Sequence, residues 1–318
     1  MIAPAFGEVV MDPGPNISRN RRPRRPLLAV LLTALPLAAC GPSVLDPRGV
    51  IGAADKTILI DSLAIMLAIV VPVIVATIGI AWWFRESNTR ARYLPGFVHS
   101  GSIELVIWSI PLLTIMLLGG VIWIGSHELD PAVPIKSKQA PLTVQVVSLD
   151  WKWLFIYPDQ RVASVNRLVI PAGTPIHFEL TSASVMNVFF VPQLGSMIYT
   201  MYGMADQLWL VADHPGRYYG ESAMISGDGF PTMHFDVDAV SADQFSAWVN
   251  SSRGGGSTLD DHSYADLARQ SMSVAPFTYR DVEPDMFRKI VSQAVPPGPG
   301  PNSPSTAPEP AKAPKTGG

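Results

Sequence analysis

After residue 40 this chain has no thiol, because its single cysteine is Cys40. No thiolate metal site and no intrachain disulfide can be built in the rest of the molecule. Charge is also sparse. Only 15% of the residues are Asp, Glu, Lys or Arg, against 48% hydrophobic, and an apolar share this high points to membrane spans. The net charge is −3, and no basic run follows the arginines that end at Arg25. The electrostatic footprint of a nucleic-acid partner is therefore missing. No Ser-His-Asp constellation, phosphate loop or paired-carboxylate motif stands out, which argues against an independent hydrolase.

The N-terminus carries an address. Arg19, Arg21, Arg22, Arg24 and Arg25 form a positive region, and Leu27 to Leu37 is an apolar run too short to cross a bilayer. Ala38-Ala39 then places small residues before Cys40. A lipoprotein signal over 1–39, cleaved before a lipidated Cys40, is expected. Residues 40–57 would follow as an outer N-terminal segment.

Two longer apolar stretches come next. Residues 58–84 are broken only by Asp61, Ser62 and Thr77, and 102–126 hold Trp108 and Trp123 near the two ends. About 20 apolar residues cross a bilayer as a helix, and amphipathic rings favour its interfaces. Pro72 and Pro111 are tolerated in such helices. The loop 85–101 carries Arg85, Arg90 and Arg92 against Glu86, so it is expected in the cytoplasm. Cys40 and everything beyond the second span then face the periplasm of a bacterial inner membrane. Glu104 lies just inside the second apolar stretch. A carboxylate there faces protein or a water path, or else serves as a partly solvated helix-start residue.

Residues 139–240 read as short strands: 142–147, 151–157, 167–170, 175–180, 185–191, 207–211, 218–219 and 234–240. Strands of this spacing imply an antiparallel sandwich of about a hundred residues. A helical extension over 241–292 is expected from 242–250 and 259–272. The Pro-, Ala- and Gly-rich tail 293–318 is expected to be disordered.

Local runs carry a family resemblance. They are Asp150-Trp151-Lys152-Trp153 with Tyr157-Pro158, Thr181 to Asn187 with Phe189 to Gly195, and Tyr219-Gly220-Glu221-Ser222 through Met233. Together with the spans they resemble subunit II of the haem–copper respiratory oxidases, over roughly residues 40–279. The fold this implies is a two-helix transmembrane hairpin followed by a periplasmic cupredoxin-like Greek-key β-sandwich. In the cytochrome c oxidase branch the last run reads C-x-x-x-C-x-x-x-H-x-x-M and, with an upstream His, holds the binuclear copper centre CuA. Here Asn187 stands at the upstream His, Ser222 and Ser226 at the cysteines, Met224 at the intervening glutamate and Phe230 at the second His. Only Met233 remains. Soft thiolates hold such a centre, and a serine hydroxyl cannot replace them. No CuA and no other metal is expected in this chain.

The run Ser226-Gly227-Asp228-Gly229-Phe230 resembles the cytochrome bo-type quinol-oxidase branch. That resemblance implies a non-catalytic subunit of a proton-pumping quinol oxidase. Low-spin haem b, high-spin haem o or a, CuB and the quinol contacts would lie in subunit I, with subunits III and IV as further partners and no cytochrome c. It also places Glu104 at the entrance of the K proton pathway. Trp151 and Trp153 match the family's aromatic motif. With no copper feeding it, Trp151 is expected as a core or subunit-facing ring. The alternative is a membrane lipoprotein that acts as scaffold or copper-handling assembly factor. Met197, Met201 and Met204 suggest a Cu(I) site but read as packing. Met233 and His234, with His177, make poor co-ligands, because adjacent strand residues point to opposite faces.

Overall fold

The computed structural model describes residues 44–92 and 94–300. The signal segment, Cys40 and the tail beyond Gly300 lie outside the described residues. Two long helices come first, α1 (Val50–Trp83) and α2 (Gly101–Glu128). Their most apolar windows have no share buried within the chain, as expected of helices that face lipid or other subunits. They cross closely near the β-domain. A Cβ on Gly125 of α2 would come 2.8 Å from Ile58 Cδ1 of α1, so glycine permits that approach. At the other end of α1, Arg85 Nη1 donates to Trp82 O (2.8 Å) and Asn88 Nδ2 to Trp83 O (2.6 Å). These side chains satisfy the carbonyls that a helix end leaves free.

Helix α1 begins eight residues before the apolar run predicted it, and the reason is tertiary. Its first turn is set into the β-domain. Arg48 N donates to Gln193 O (2.7 Å), Gly52 N to Leu194 O (3.1 Å) and Asp213 N to Arg48 O (2.8 Å). A Cβ on Gly49 would sit 2.3 Å from Val211 O. Only glycine allows that backbone contact.

The sandwich is built from β1 (Leu142–Leu149), β2 (Lys152–Tyr157), β3 (Val162–Val165), β4 (Arg167–Pro171), β5 (Ile176–Ser182), β6 (Asn187–Phe190), β7 (Ile198–Thr200), β8 (Asp206–Leu210), β9 (Gly216–Ser222) and β10 (His234–Val240). An extension follows with α3 (Ala242–Arg253), β11 (Thr258–Leu259), α4 (Asp261–Leu267), β12 (Phe277–Tyr279), β13 (Asp281–Val282) and α5 (Met286–Val291). One sheet runs β12-β3-β2-β1-β5-β8 and the facing sheet β4-β10-β9-β6-β7. The expected all-antiparallel pairing does not hold, since β1 pairs with β5 and β4 with β10 in parallel. In each case other strands intervene in sequence, so the partners are joined by crossovers rather than hairpins. Trp153, Phe155, Phe178, Phe189 and Phe235 fill the space between the sheets. Trp153 packs edge-on to Phe189 at 5.6 Å between ring centroids, an arrangement aromatic quadrupoles favour.

Strand β2 is buried at every position, which a half-solvated strand would not be. The extension explains it. Tyr264, Met286, Phe287 and Ile290 cover Val147, Leu149, Leu154 and Ile156 in a second core on the outer face of the first sheet. Capping boxes start two of the extension's helices, Ser241 with Gln244 on α3 and Asp260 with Ser263 on α4.

Lys152 lies fully buried under this cover. Its Nζ donates to Arg269 O and Ser271 Oγ, both at 2.6 Å. Asp150, two residues earlier, accepts from Ser184 Oγ through one oxygen and from Gly300 N (2.8 Å) through the other. Gly298 N donates to Ala183 O (2.9 Å) and Val295 is buried. The tail composition suggested disorder from residue 293, but through Gly300 it is fastened to the sandwich. Prolines remove donors from this segment, and the remaining glycine amides find acceptors on β-domain residues.

Burial lowers the Lys152 pKa from 10.5 to about 8, with Asp150 opposing the shift. Between those values the unfolded chain binds a proton that the folded chain does not, so stability rises with pH across that window. The slope is at most about 1.4 kcal/mol per pH unit. The buried tyrosines act the other way above their ordinary pKa. We therefore expect wild type to gain melting temperature relative to Lys152→Met between pH 8 and pH 9.5. Melting curves of both proteins at the two pH values check this, and parallel shifts would contradict it.

Candidate functional site

The copper-position residues converge at one end of the sandwich. Asn187 opens β6, Ser222 closes β9, and the loop 223–233 carries Met224, Ser226 and a 3₁₀ turn at Phe230–Thr232 before β10. Asn187, Ser222, Ser226 and Met233 are buried, while Met224 and Phe230 are half-buried. The fold thus brings together the positions that the sequence singled out.

What they do there is bond to one another. Ser222 Oγ lies 3.2 Å from both Asn187 Oδ1 and Met224 O. Val188 N reaches Ser222 Oγ at 3.5 Å, and Ser226 Oγ points to Met233 Sδ at 3.9 Å. Ser222 N donates to Met233 O and Met233 N to Phe230 O. The hydroxyls and the amide act as links of a closed polar network, which is how buried polar groups avoid their desolvation cost. Among the described residues no group of three or more His, Cys, Asp or Glu side chains is placed to hold a metal. The donors offered at the loop are hydroxyl, amide and thioether. None is a thiolate or an imidazole, and this set does not fit a thiolate-bridged copper pair.

Trp151 closes the loop from below. It sits in the tight β1–β2 turn with φ 66, a left-handed conformation that a bulky residue holds only when its surroundings fix it. Its Nε1 donates to Ser226 O at 3.0 Å. Its ring lies so near the Gly229 backbone that a Cβ there would come 2.2 Å from it. Trp151 is thus a core ring, as is Trp153.

Other candidates are dispersed. Met197 and Met204 are exposed and Met201 half-buried. Met233 turns inward while His234 is exposed and stacks on Tyr219 at 5.8 Å, as adjacent strand positions require. His177 stacks instead on Trp209, at 4.5 Å.

At the far end of the hairpin, Glu104 stands in the first turn of α2. His99 Nδ1 lies 2.6 Å from its Oε1, and the two side chains are 69% and 50% exposed. The carboxylate is therefore not covered by the rest of this chain. His99 carries no signal of its own in the sequence. A histidine five residues before a helix-start carboxylate is the pattern that could have found it.

Comparisons with known sequences agree with this frame. The family described as cytochrome c oxidase subunit II, periplasmic domain, matches residues 157–240, and the COX aromatic-rich motif matches residues 253–298. Ubiquinol oxidase subunit 2 of Acetobacter aceti is 48% identical over 268 residues, covering 84% of this chain and 87% of that protein. Cytochrome bo(3) ubiquinol oxidase subunit 2 of Pseudomonas aeruginosa is 43% identical over 263 residues, covering 83% and 80%. Its namesake from Pseudomonas putida is 41% identical over 277 residues, covering 87% and 88%.

A methyl group at Gly229 has no room against the Trp151 ring. Overpacking of this kind costs about 1–3 kcal/mol. We expect Gly229→Ala to lower the melting temperature and Gly227→Ala to act through backbone strain instead, since only Gly227 has a positive φ (109). An unchanged melting curve for Gly229→Ala would show that the ring is not packed on this backbone.

Proposed function

The chain belongs to the subunit 2 family of ubiquinol oxidases, and we propose that it serves its oxidase as a frame without a copper centre of its own. The observation that carries this reading is the bonded set Asn187, Ser222, Ser226 and Met233, which spends on itself the groups a metal would need. The chain is a non-catalytic part of an oxidoreductase of the inner membrane, with two spans and a cupredoxin-like domain. Haem and copper chemistry reside in the partner subunit I, with haem b, haem o or a, and CuB there. Quinol dissolves in the bilayer and delivers electrons within it, so no relay through the β-domain is required.

The exposed Met186, Tyr199 and Ile225 ring the same end of the sandwich as the copper-position residues. An apolar face of this kind marks a protein contact, and subunit I is the partner we assign to it. Subunits III and IV complete the assembly. The arginine-bearing loop 85–101 stays in the cytoplasm and the mature N-terminus, with a lipidated Cys40, in the periplasm. Glu104 then stands at the cytoplasmic surface, solvent-open and paired with His99, as the entrance of the K proton pathway. A carboxylate can collect protons from water there without crossing the apolar layer.

Oxygen uptake by the purified complex tests the donor. Quinol should support it and reduced cytochrome c should not; robust cytochrome c oxidation would overturn the reading. For the proton entrance, Glu104→Ala should slow turnover by about a hundredfold, the low end of the scale for one lost proton-transfer group, at unchanged haem content. Normal turnover in that variant removes Glu104 from the pathway.

A further inference from the structure

A cavity lies where α1 enters the β-domain. It has a volume of about 300 Å³ and is lined by Val44, Phe190, Pro192, Met197, Ser196 and Asp55. The apolar run of α1 begins at Ile58, so at 1.5 Å rise per residue Asp55 stands only about 4.5 Å above it. The cavity therefore opens at headgroup depth. Its apolar walls are unusual for a surface facing water, and Met197 at its mouth is 56% exposed. Contact with acyl chain explains both.

The carboxylate in the wall selects a headgroup. Asp55 Oδ2 accepts from Ser196 Oγ at 3.3 Å, and among the described residues its other oxygen takes no bond. A cavity-lining carboxylate with one oxygen free is complementary to a headgroup that carries a primary ammonium, which can donate to it. The site is rigid, because the bonds from Arg48, Gly52 and Asp213 fix α1 against the loop that carries Phe190 to Met197.

We propose that this cavity binds one phospholipid with a primary-ammonium headgroup, drawn from the leaflet on the side of the β-sandwich. This goes beyond the role as an oxidase frame and rests on it only for α1 crossing the membrane. The upper acyl chain lies on Phe190, Pro192 and Met197, and the ammonium donates to Asp55. A quaternary headgroup has no N–H to donate, and an anionic glycerol headgroup meets the carboxylate unfavourably.

Native mass spectrometry of the delipidated oxidase complex, after exposure to phosphatidylethanolamine, phosphatidylcholine or phosphatidylglycerol, tests this. Phosphatidylethanolamine should be retained preferentially by wild type. Asp55→Asn keeps an acceptor for Ser196 and should weaken that retention about tenfold, the effect of one charge-assisted hydrogen bond. Met197→Trp, which fills the mouth, should abolish it. Haem content confirms assembly in each preparation. Equal retention of the three lipids, or retention unchanged in both variants, overturns the proposal. The readout is a lipid count on the assembled complex, so it stands or falls independently of the electron donor and of Glu104.

Discussion

The polar side chains buried at Asn187, Ser222 and Ser226 have to find partners at their end of the sandwich, and that requirement organises the loop 223–233 around them. A cupredoxin-like loop is shaped to converge several side chains on one point. With metal ligands at that point, coordination holds the loop together. Here hydroxyl, amide and thioether converge instead, and each leaves a cost of about 1–3 kcal/mol if unpaired in the interior. The Ser222–Asn187 contact, the Ser226–Met233 contact and the indole bond from Trp151 to Ser226 O meet that demand. Trp151 can reach the loop only from a left-handed turn, and Gly229 must be bare to receive it.

The same frame is tied to the membrane by backbone rather than by side chains. The first turn of α1 is hydrogen-bonded to the loop at 193–194 and to Asp213, through a glycine contact too close for any side chain. The sandwich is thereby held at a fixed height over the bilayer. A second fastening lies on the opposite face of the first sheet. Buried Asp150 and Lys152 gather Ser184, Arg269, Ser271 and Gly300 around one turn of chain. A buried charge is expensive unless fully bonded. Its presence here makes the aromatic-rich extension part of the domain rather than an appendage to it.

Much of this was legible in the sequence. The spans follow from apolar length alone, and the absence of thiolate and imidazole from the loop follows from residue identities at Ser222, Ser226, Asn187 and Phe230. Trp153 and the strands that fill the inner core follow from aromatic and branched runs. Other features were not legible, for physical reasons. Periodicity does not name a strand's partner, so the parallel β1–β5 and β4–β10 pairs were hidden. The strands β3, β7 and β11 to β13 are too short to show a period and exist because a neighbouring strand pairs with each of them. The start of α1 at Val50 is set by contact with the loop around Leu194, in a segment whose Asp55 and Lys56 read as soluble. Lys152 looks like an exposed charge until the extension covers it, although the unbroken burial of β2 is foreshadowed by its lack of alternation. His99 beside Glu104 needs the helix start to be located first.

The central claim is that this domain keeps the copper-binding frame while holding no copper. Electron paramagnetic resonance of the air-oxidised, purified oxidase complex tests it most directly. A mixed-valence dicopper centre has its own signal, distinct from those of the haems. The account predicts that this signal is absent from a complex that turns over quinol at full haem content. Its appearance, lost on substitution of Met233 or Asn187, would contradict the account.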